Sequence, residues 1–292
     1  MAVAQPFVSG DLVPAYGRAS LAVRQYFRGT SFATWLAFTA LVLMFVIAIF
    51  AKWIAPFDPL VPAGDPMSPP SGANWLGTDT VGRDVLSRVL VGMSTSWWGA
   101  LAVVASGVVI GGTIGIVAGA VGGVVDNVLM RITDIFLALP APIMAVAVVA
   151  AMGPSFVNTL IGVSIVWWPL YTRLIRAEVR KLRSSPHMDA ARIAGTSRRR
   201  QLTRHVLPGT VPVAIITASL DISALVLMLS GLSFLGLGAP QPAPELGAMA
   251  AQGLTNVFTS WWIPIFPATA VALIAIVSNF AGDALRDRIH DR

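Results

Sequence analysis

The sequence has no cysteine and few charged residues. The absence of cysteine among 292 residues excludes disulfides and thiolate metal sites. Charged residues make up 12% of the chain, whereas soluble domains carry roughly 25%. Hydrophobic residues make up 55%, and the mean hydropathy is +0.75. These values indicate a polytopic membrane protein from which no soluble domain of ordinary size can be separated.

Lysine and histidine are also scarce, which excludes several kinds of chemistry. Neither Lys52 nor Lys181 follows a glycine-rich loop of the P-loop type, so we expect any ATP hydrolysis to occur in a partner. An intramembrane Ser-His protease would lack its base, because the histidines fall in predicted loops or the tail. The predicted spans hold no His/Asp/Glu cluster suited to nickel. We therefore expect no catalytic residue, metal or cofactor in this chain. The histidines are His187, His205 and His290.

Long apolar runs predict an all-α protein with six transmembrane helices. The first run starts near Ser31 and is long enough to cross the membrane, so residues 1–30 are expected to be a cytoplasmic segment and not a cleavable signal. Residues 31–96 would hold the first span and an extracytoplasmic loop. Residues 97–283 would form a core of five spans with a cytoplasmic loop at 184–207, and residues 284–292 a cytoplasmic tail. The predicted spans are Ser31–Phe50, Trp97–Val121, a third ending near Met152, Phe156 to about Tyr171, Val211 to about Leu235, and Ile263–Phe280.

Basic residues are concentrated on one side of these predicted spans. Ten of them lie between Arg173 and Arg204, whereas only Arg83 and Arg88 fall clearly on the other side. Because Lys and Arg mark the cytoplasmic side of membrane proteins, the net charge of +6 does not indicate nucleic-acid binding. We expect both termini to be cytoplasmic.

The connection between the first two spans, residues 54–92, is rich in proline and glycine but carries a compact block of charges. Glycines beside aspartate and arginine predict a folded, hydrogen-bonded loop. The charged side chains could hold a metal or a nucleotide, but their balanced charges favour pairing with one another. The residues of this block are Gly77, Thr78, Asp79, Gly82, Arg83, Asp84 and Arg88.

Two features inside the predicted spans suggest close contacts. Gly111, Gly115 and Gly119 have the small-xxx-small spacing that lets helices approach closely in lipid, either within the chain or between subunits. Asp221 is an acidic residue inside a predicted span, and because such residues are rare there, it is a candidate for a role in transport. Its polar neighbours also fit a hydrogen-bonding role within the bundle; they are Thr217, Ser219 and Ser223.

Charged residues also follow helical spacing near the predicted cytoplasmic ends. Arg131 and Asp134 are three residues apart and can pair on one helix face. A longer stripe, spaced by three or four residues, is expected to lie near lipid phosphates. Its members are Arg173, Arg176, Arg180 and Arg183.

The most charged stretch is Pro186–Pro208, between two predicted spans. Ser185 before Pro186 predicts a helix start, and Gly195 is placed to end that helix in a left-handed turn. A second short helix is predicted from Ser197. Small residues in the first helix would let a partner approach closely, although a plain basic loop is the alternative. They are Ala190, Ala191 and Ala194.

These segments together resemble the permease subunits of ABC importers, in the branch that takes up peptides and nickel. Asp189-Ala190-Ala191 with Gly195 and Leu207-Pro208 is similar to the family's "EAA" loop. Trp75–Arg88 is similar to "LGTDxxGRDxxSR", and Leu232–Gly238 to "LSFLGLG", although Leu229 stands where relatives often have glutamate. Asp126–Pro140 and the segment from Asn279 resemble further family patterns.

The resemblance implies a type I ABC importer permease fold in the inner membrane of a bacterium. It implies a homologous second permease, two ATPase subunits that bind ATP and Mg, and an extracytoplasmic substrate-binding protein. It also implies that the "EAA" loop docks on the ATPase. The coupling residues would be Met188, Asp189, Ala190, Ala191 and Gly195.

Peptides, either di- or oligopeptides, are the expected substrates. Nickel or another small solute is the alternative within the same family. An ion-coupled secondary transporter is the alternative from another class, with Asp221 as its best intramembrane acid, but no inverted repeat is visible in the sequence.

Overall fold

The structure, a computed structural model, describes residues 32–290, so the predicted cytoplasmic segment 1–30 lies outside the described residues. Within the described range the chain is helical, and its only extended pairings are two isolated β-bridges in the first loop. The prediction of an all-α fold is confirmed. The helices are α1 Phe32–Ile54, α2 Val85–Val121, α3 Gly123–Leu137, α4 Ala141–Met152, α5 Phe156–Arg183, α6 Pro186–Ile193, α7 Arg198–Gln201, α8 Leu207–Phe234, α9 Leu246–Gly253 and α10 Trp262–His290.

Four helical segments of the described chain are long and apolar enough to cross a membrane, and a fifth crossing is added if α3 and α4 form one bent span. The four contain α1, α2, α8 and α10. Helix α5 has 28 residues, about 42 Å at 1.5 Å per residue, which also exceeds the hydrocarbon thickness. Six charged residues between Arg173 and Arg183 lower its hydropathy. The count of six spans therefore stays a prediction.

Several predicted boundaries differ from the observed ones. Helix α2 begins at Val85 and not at Trp97, because Asp84 caps it by accepting a hydrogen bond from the backbone N–H of Ser87. The predicted third span is two helices that meet at 82°. Pro140 explains this break, since proline lacks a backbone donor and disfavours helical geometry in the residue before it.

Helices α2 and α5 approach each other at backbone distance. A Cβ atom on Gly111 would lie 2.2 Å from the carbonyl oxygen of Trp168, and one on Gly115 would lie 2.7 Å from that of Thr172. The hydroxyl of Thr172 donates to the carbonyl of Gly111 at 3.1 Å. The small-xxx-small pattern therefore forms a contact between two helices of the same chain. The sequence alone had left open whether this contact lies within the chain or between subunits.

The main apolar core joins α8 and α10 to α1 and α2. Leu225, Leu229 and Ile274 have at most 1% of their surface exposed. A glutamate in place of Leu229 would have to bury a charge in this core, which explains why leucine suits the position in this chain.

Replacing Gly111 with alanine should destabilise the protein by about 1–3 kcal/mol, because the added methyl group meets backbone that cannot rotate away. Gly112→Ala is the matched control, since a Cβ there meets nothing within 4 Å. Thermal unfolding in detergent measures both variants. Equal unfolding temperatures would contradict the close packing of α2 on α5.

Candidate functional site

Helix α6 is a short helix with a defined start and end. Ser185 has the extended backbone of an N-cap residue, as predicted, but its hydroxyl donates to the carbonyl of Leu182 and does not cap the helix. Gly195 has φ +73°, the left-handed conformation that glycine adopts without strain. The N–H of Thr196 donates to the carbonyl of Ala191, and the N–H of Gly195 donates to the carbonyl of Arg192. These two hydrogen bonds form a Schellman motif.

Helix α6 has one anchored face and one free face. Met188 is 1% exposed and packs among Ile175, Val179 and Val206, which joins α6 to α5 and to the start of α8. The free face is apolar: Ile193 is 89% exposed in the described chain. Ala190 and Ala194 are exposed on the same side.

The predicted coupling residues therefore occupy different positions. Met188 faces the chain's own core, Ala190 is exposed and Ala191 is half-buried. The side chain of Asp189 is 60% exposed and accepts a bond from Arg192 at 2.8 Å. Sequence reasoning missed Ile193, although its position three residues after Ala190 was the available signal.

Arg192 also connects α6 back to α5. Its guanidinium donates to the carbonyl of Arg183 at 2.8 Å. Arg183 in turn donates to the carbonyls of Gly119 and Ala120, at 2.7 and 2.6 Å, at the end of α2. Polar bonds thus join α6, α5 and α2 in series, parallel to the apolar contact of Met188.

Three arginines of the stripe on α5 pair with carboxylates of α3, and the expected position of the stripe near lipid phosphates stays a prediction. Arg173 pairs with Asp134 at 2.6 Å, so Asp134 does not pair with Arg131. Arg176 donates to Asp126 at 2.6 Å. The reason is the position of α3, which places carboxylates beside the basic face of α5. Arg180 is within 3.8 Å of the same Asp126.

The segment after α6 continues into α8 through a short helix and a π turn. Ser197 caps α7 by accepting from the N–H of Arg200 at 3.4 Å, as the sequence predicted. The π turn Leu202–Val206 then runs directly into Leu207. No loop separates this segment from α8.

The loop between α1 and α2 is folded by its own charged groups. Arg83 donates to Asp79 at 2.7 Å, and Arg88 lies within 3.5 Å of the same carboxylate. Asp84 is fully buried and accepts from Asn74 at 3.0 Å as well as from Ser87. The prediction of internal pairing is confirmed, and among the described residues no group of three potential ligands could hold a metal ion.

The remaining residues of the block fix this loop to the membrane helices. The N–H of Gly77 donates to Asn74, and its carbonyl accepts from Val85, the first residue of α2. Thr78 is fully buried, and its carbonyl accepts from the indole of Trp262 at 3.1 Å. Gly82 has φ +86°, and a Cβ there would lie 2.3 Å from the carbonyl of Gly64, so only glycine fits.

Asp221 lies on α8 and accepts a hydrogen bond from the indole of Trp167 on α5 at 3.0 Å. Two of its predicted partners point elsewhere: Ser219 and Ser223 donate to carbonyls of their own helix. The observed contact supports the role within the bundle, through a partner that the sequence did not indicate.

Comparison with known families matches residues 111–292 to the family described as binding-protein-dependent transport system inner membrane component. The match covers more than half of the chain and includes α6. The chain belongs to this family. It is therefore a multi-pass permease subunit of an ABC importer and not an enzyme, and membership implies an ATPase and a substrate-binding protein as partners.

Relatives in this family share most of their length with the chain. The probable D,D-dipeptide transport system permease protein DdpC of Escherichia coli strain K12 is 42% identical over 248 residues, which is 85% of this chain and 83% of the relative. The glutathione transport system permease protein GsiD of Pectobacterium atrosepticum is 36% identical over 250 residues, with 85% and 83% coverage. The GsiD protein of Escherichia coli O157:H7 is 38% identical, with 85% and 82% coverage.

A solved structure supports the permease fold. A chain from the MetNI methionine ABC transporter, in inward-facing conformations, matches with a TM-score of 0.54 at 17% identity. The match covers 69% of this chain and 95% of that chain.

Glu245 is a further buried acid of this chain, and it makes the stability of the protein depend on pH. It is 1% exposed and accepts from the N–H groups of Gly247 and Ala248 at the start of α9. Burial raises the pKa of Glu245 above its usual value of 4.5. Because the pKa is raised in the folded protein, the stability that this group contributes is present below the unfolded pKa and is lost as pH rises through the folded one.

Glu245→Gln should therefore flatten the loss of stability as pH rises above about 4.5, since a neutral amide has no charge to bury. Unfolding temperature as a function of pH measures the effect. Asp65→Asn, at an exposed position in the loop between α1 and α2, is the control and should leave the profile unchanged. A Glu245→Gln profile identical to that of the parent protein would contradict the assignment.

Proposed function

We propose that this chain is a transmembrane permease subunit of an ATP-driven importer that moves peptides into the cytoplasm. The observation that carries the proposal is helix α6, a short capped helix with an anchored face and a free apolar face. The relatives named for D,D-dipeptide and glutathione transport support di- or oligopeptides as the substrate class.

In the proposed assembly, the chain pairs with a homologous second permease. Two ATPase subunits bind ATP and Mg on the cytoplasmic side, and a substrate-binding protein delivers peptide on the other side. This chain itself binds no cofactor. Both termini are cytoplasmic and the outer loop faces outward, which is supported by the concentration of arginines between Arg173 and Arg204.

The mechanism follows from how α6 is attached. The ATPase binds the free face of α6 around Ala190 and Ile193. When the two ATPase subunits close on each other, they displace α6. Met188 passes this displacement to α5 and α8 through apolar contact, while Arg192 and Arg183 pass it to the end of α2. The backbone contact of Gly111 and Gly115 with α5 then makes α2 and α5 move together.

Within this mechanism the outer loop forms a cap over the pore mouth. Its charges are paired internally and its backbone is joined by hydrogen bonds to α2 and α10, so it presents a preformed surface to the binding protein.

Two further residues shape the coupling helix α6. Gly195 ends the helix, and Asp189 accepts a hydrogen bond from Arg192.

Transport by the reconstituted four-part complex tests the proposal. Proteoliposomes containing ATP should accumulate a radiolabelled dipeptide in the presence of the binding protein, and a non-hydrolysable ATP analogue should abolish uptake. An uncoupler should have no effect. Uptake that continues without ATP and collapses with the uncoupler would contradict an ATP-driven importer and favour ion coupling.

Ile193→Glu should weaken binding of the ATPase by at least about tenfold, because it places a charge in an apolar contact. Phe258→Glu is the matched control: Phe258 is equally apolar and 100% exposed, but follows α9 in the outer region. ATPase recovered with the purified permease measures both. Undiminished recovery with Ile193→Glu would show that the free face of α6 is not the contact.

A further inference from the structure

A cavity of about 670 Å³ lies between α6, α7 and the cytoplasmic end of α2. One part of its wall is apolar and includes Val121 and Leu202. The other part carries four guanidinium groups. They belong to Arg183, Arg192, Arg198 and Arg199.

The positive charge in this cavity is not balanced by the described residues. Arg192 pairs with Asp189, and Arg183 is held by neutral backbone carbonyls. Arg198 and Arg199 form no ion pair with another described residue, and both are exposed. Four like charges beside one carboxylate favour an anionic ligand, since each guanidinium can give paired donors to a phosphate.

The cavity also lies where the membrane interior ends. Helix α2 has 37 residues, about 55 Å at 1.5 Å per residue, which exceeds the hydrocarbon thickness of about 30 Å, so we place its last turn, which ends at Val121, at the level of the cytoplasmic lipid headgroups. Val121 is 62% exposed in the described chain. An apolar wall at the lipid side with arginines above it fits a phospholipid headgroup whose acyl chains run along α2.

The cavity is on the opposite side of α6 from the free apolar face. Met188 and Arg192, four residues apart, line the cavity, whereas Ala190 and Ile193 point away from it. A partner bound to the free face would therefore leave the cavity open to the membrane. This arrangement favours lipid over an acidic segment of a partner protein.

We propose that the cavity between α6, α7 and the end of α2 binds the phosphate of an anionic phospholipid headgroup. The bound headgroup would hold α6 to the cytoplasmic leaflet and screen the four arginines from one another. The proposal does not depend on the transported substrate or on the ATPase, so it can be tested on the purified full-length chain.

Titration of the detergent-solubilised chain with fluorescent phosphatidylglycerol tests the proposal, with phosphatidylcholine as the neutral lipid. Arg198→Gln combined with Arg199→Gln should weaken phosphatidylglycerol binding by about thirtyfold, because two guanidinium groups of the cavity lose their charge-assisted hydrogen bonds to the phosphate. Arg200→Gln combined with Arg204→Gln removes the same charge from the same segment outside the cavity. This matched control should bind within about twofold of the parent chain, because neither side chain can bond to a phosphate in the cavity.

Three results would overturn the proposal. Equal losses in the two double variants would indicate general attraction to a basic surface. Displacement of phosphatidylglycerol by millimolar inorganic phosphate would identify a site for a soluble anion. Unchanged lipid binding by the Arg198→Gln/Arg199→Gln variant would show that these arginines do not hold the phosphate. Unfolding temperature confirms that each variant is folded.

Discussion

Backbone contact between α2 and α5 determines where the other parts of this permease can lie. Gly111 and Gly115 leave no room for a side chain between the two helices, and Thr172 adds a hydrogen bond across the contact. Tight packing of this kind resists compression and shear, so the two helices behave as one body. The loop before α2 is joined to one end of α2 through the cap at Asp84, and the segment that contains α6 leaves from the end of α5.

The two ends of this body are held in chemically different ways. At the Val85 end of α2, Asp79 and Asp84 are buried with their partners and order the loop through these bonds. At the Val121 end, arginines of α5 are paired with carboxylates of α3 or donate to backbone carbonyls of α2. Arg198 and Arg199 remain outside these pairs, which is why the proposed lipid site lies at this end.

The sequence predicted those parts of the molecule that depend on local chemistry. The capping of α7 by Ser197, the left-handed turn at Gly195 and the pairing of Asp79 with Arg83 all involve residues within five positions of each other. Helix α6 could be placed for the same reason. Local rules of this kind need no knowledge of which helices are neighbours in space.

The predictions that were wrong or incomplete involve contacts distant in sequence. The pairing of the arginine stripe with α3 could not be predicted, because Arg173 is 39 residues from its partner Asp134. The bond from Trp167 to Asp221 spans 54 residues. The exposure of Ile193 could not be predicted either, because it depends on Met188 packing against α5 from the opposite side of α6.

The central claim is that α6 moves as one body with α2 and α5 when the ATPase closes. A pair of spin labels tests this most directly, since the chain has no cysteine to remove. One label would be placed at His187 on α6 and the other at Val117 on α2, both of which are exposed. The account predicts the same distance distribution in the nucleotide-free complex and in the complex trapped with ATP and vanadate. A shift of the distribution on trapping would contradict it.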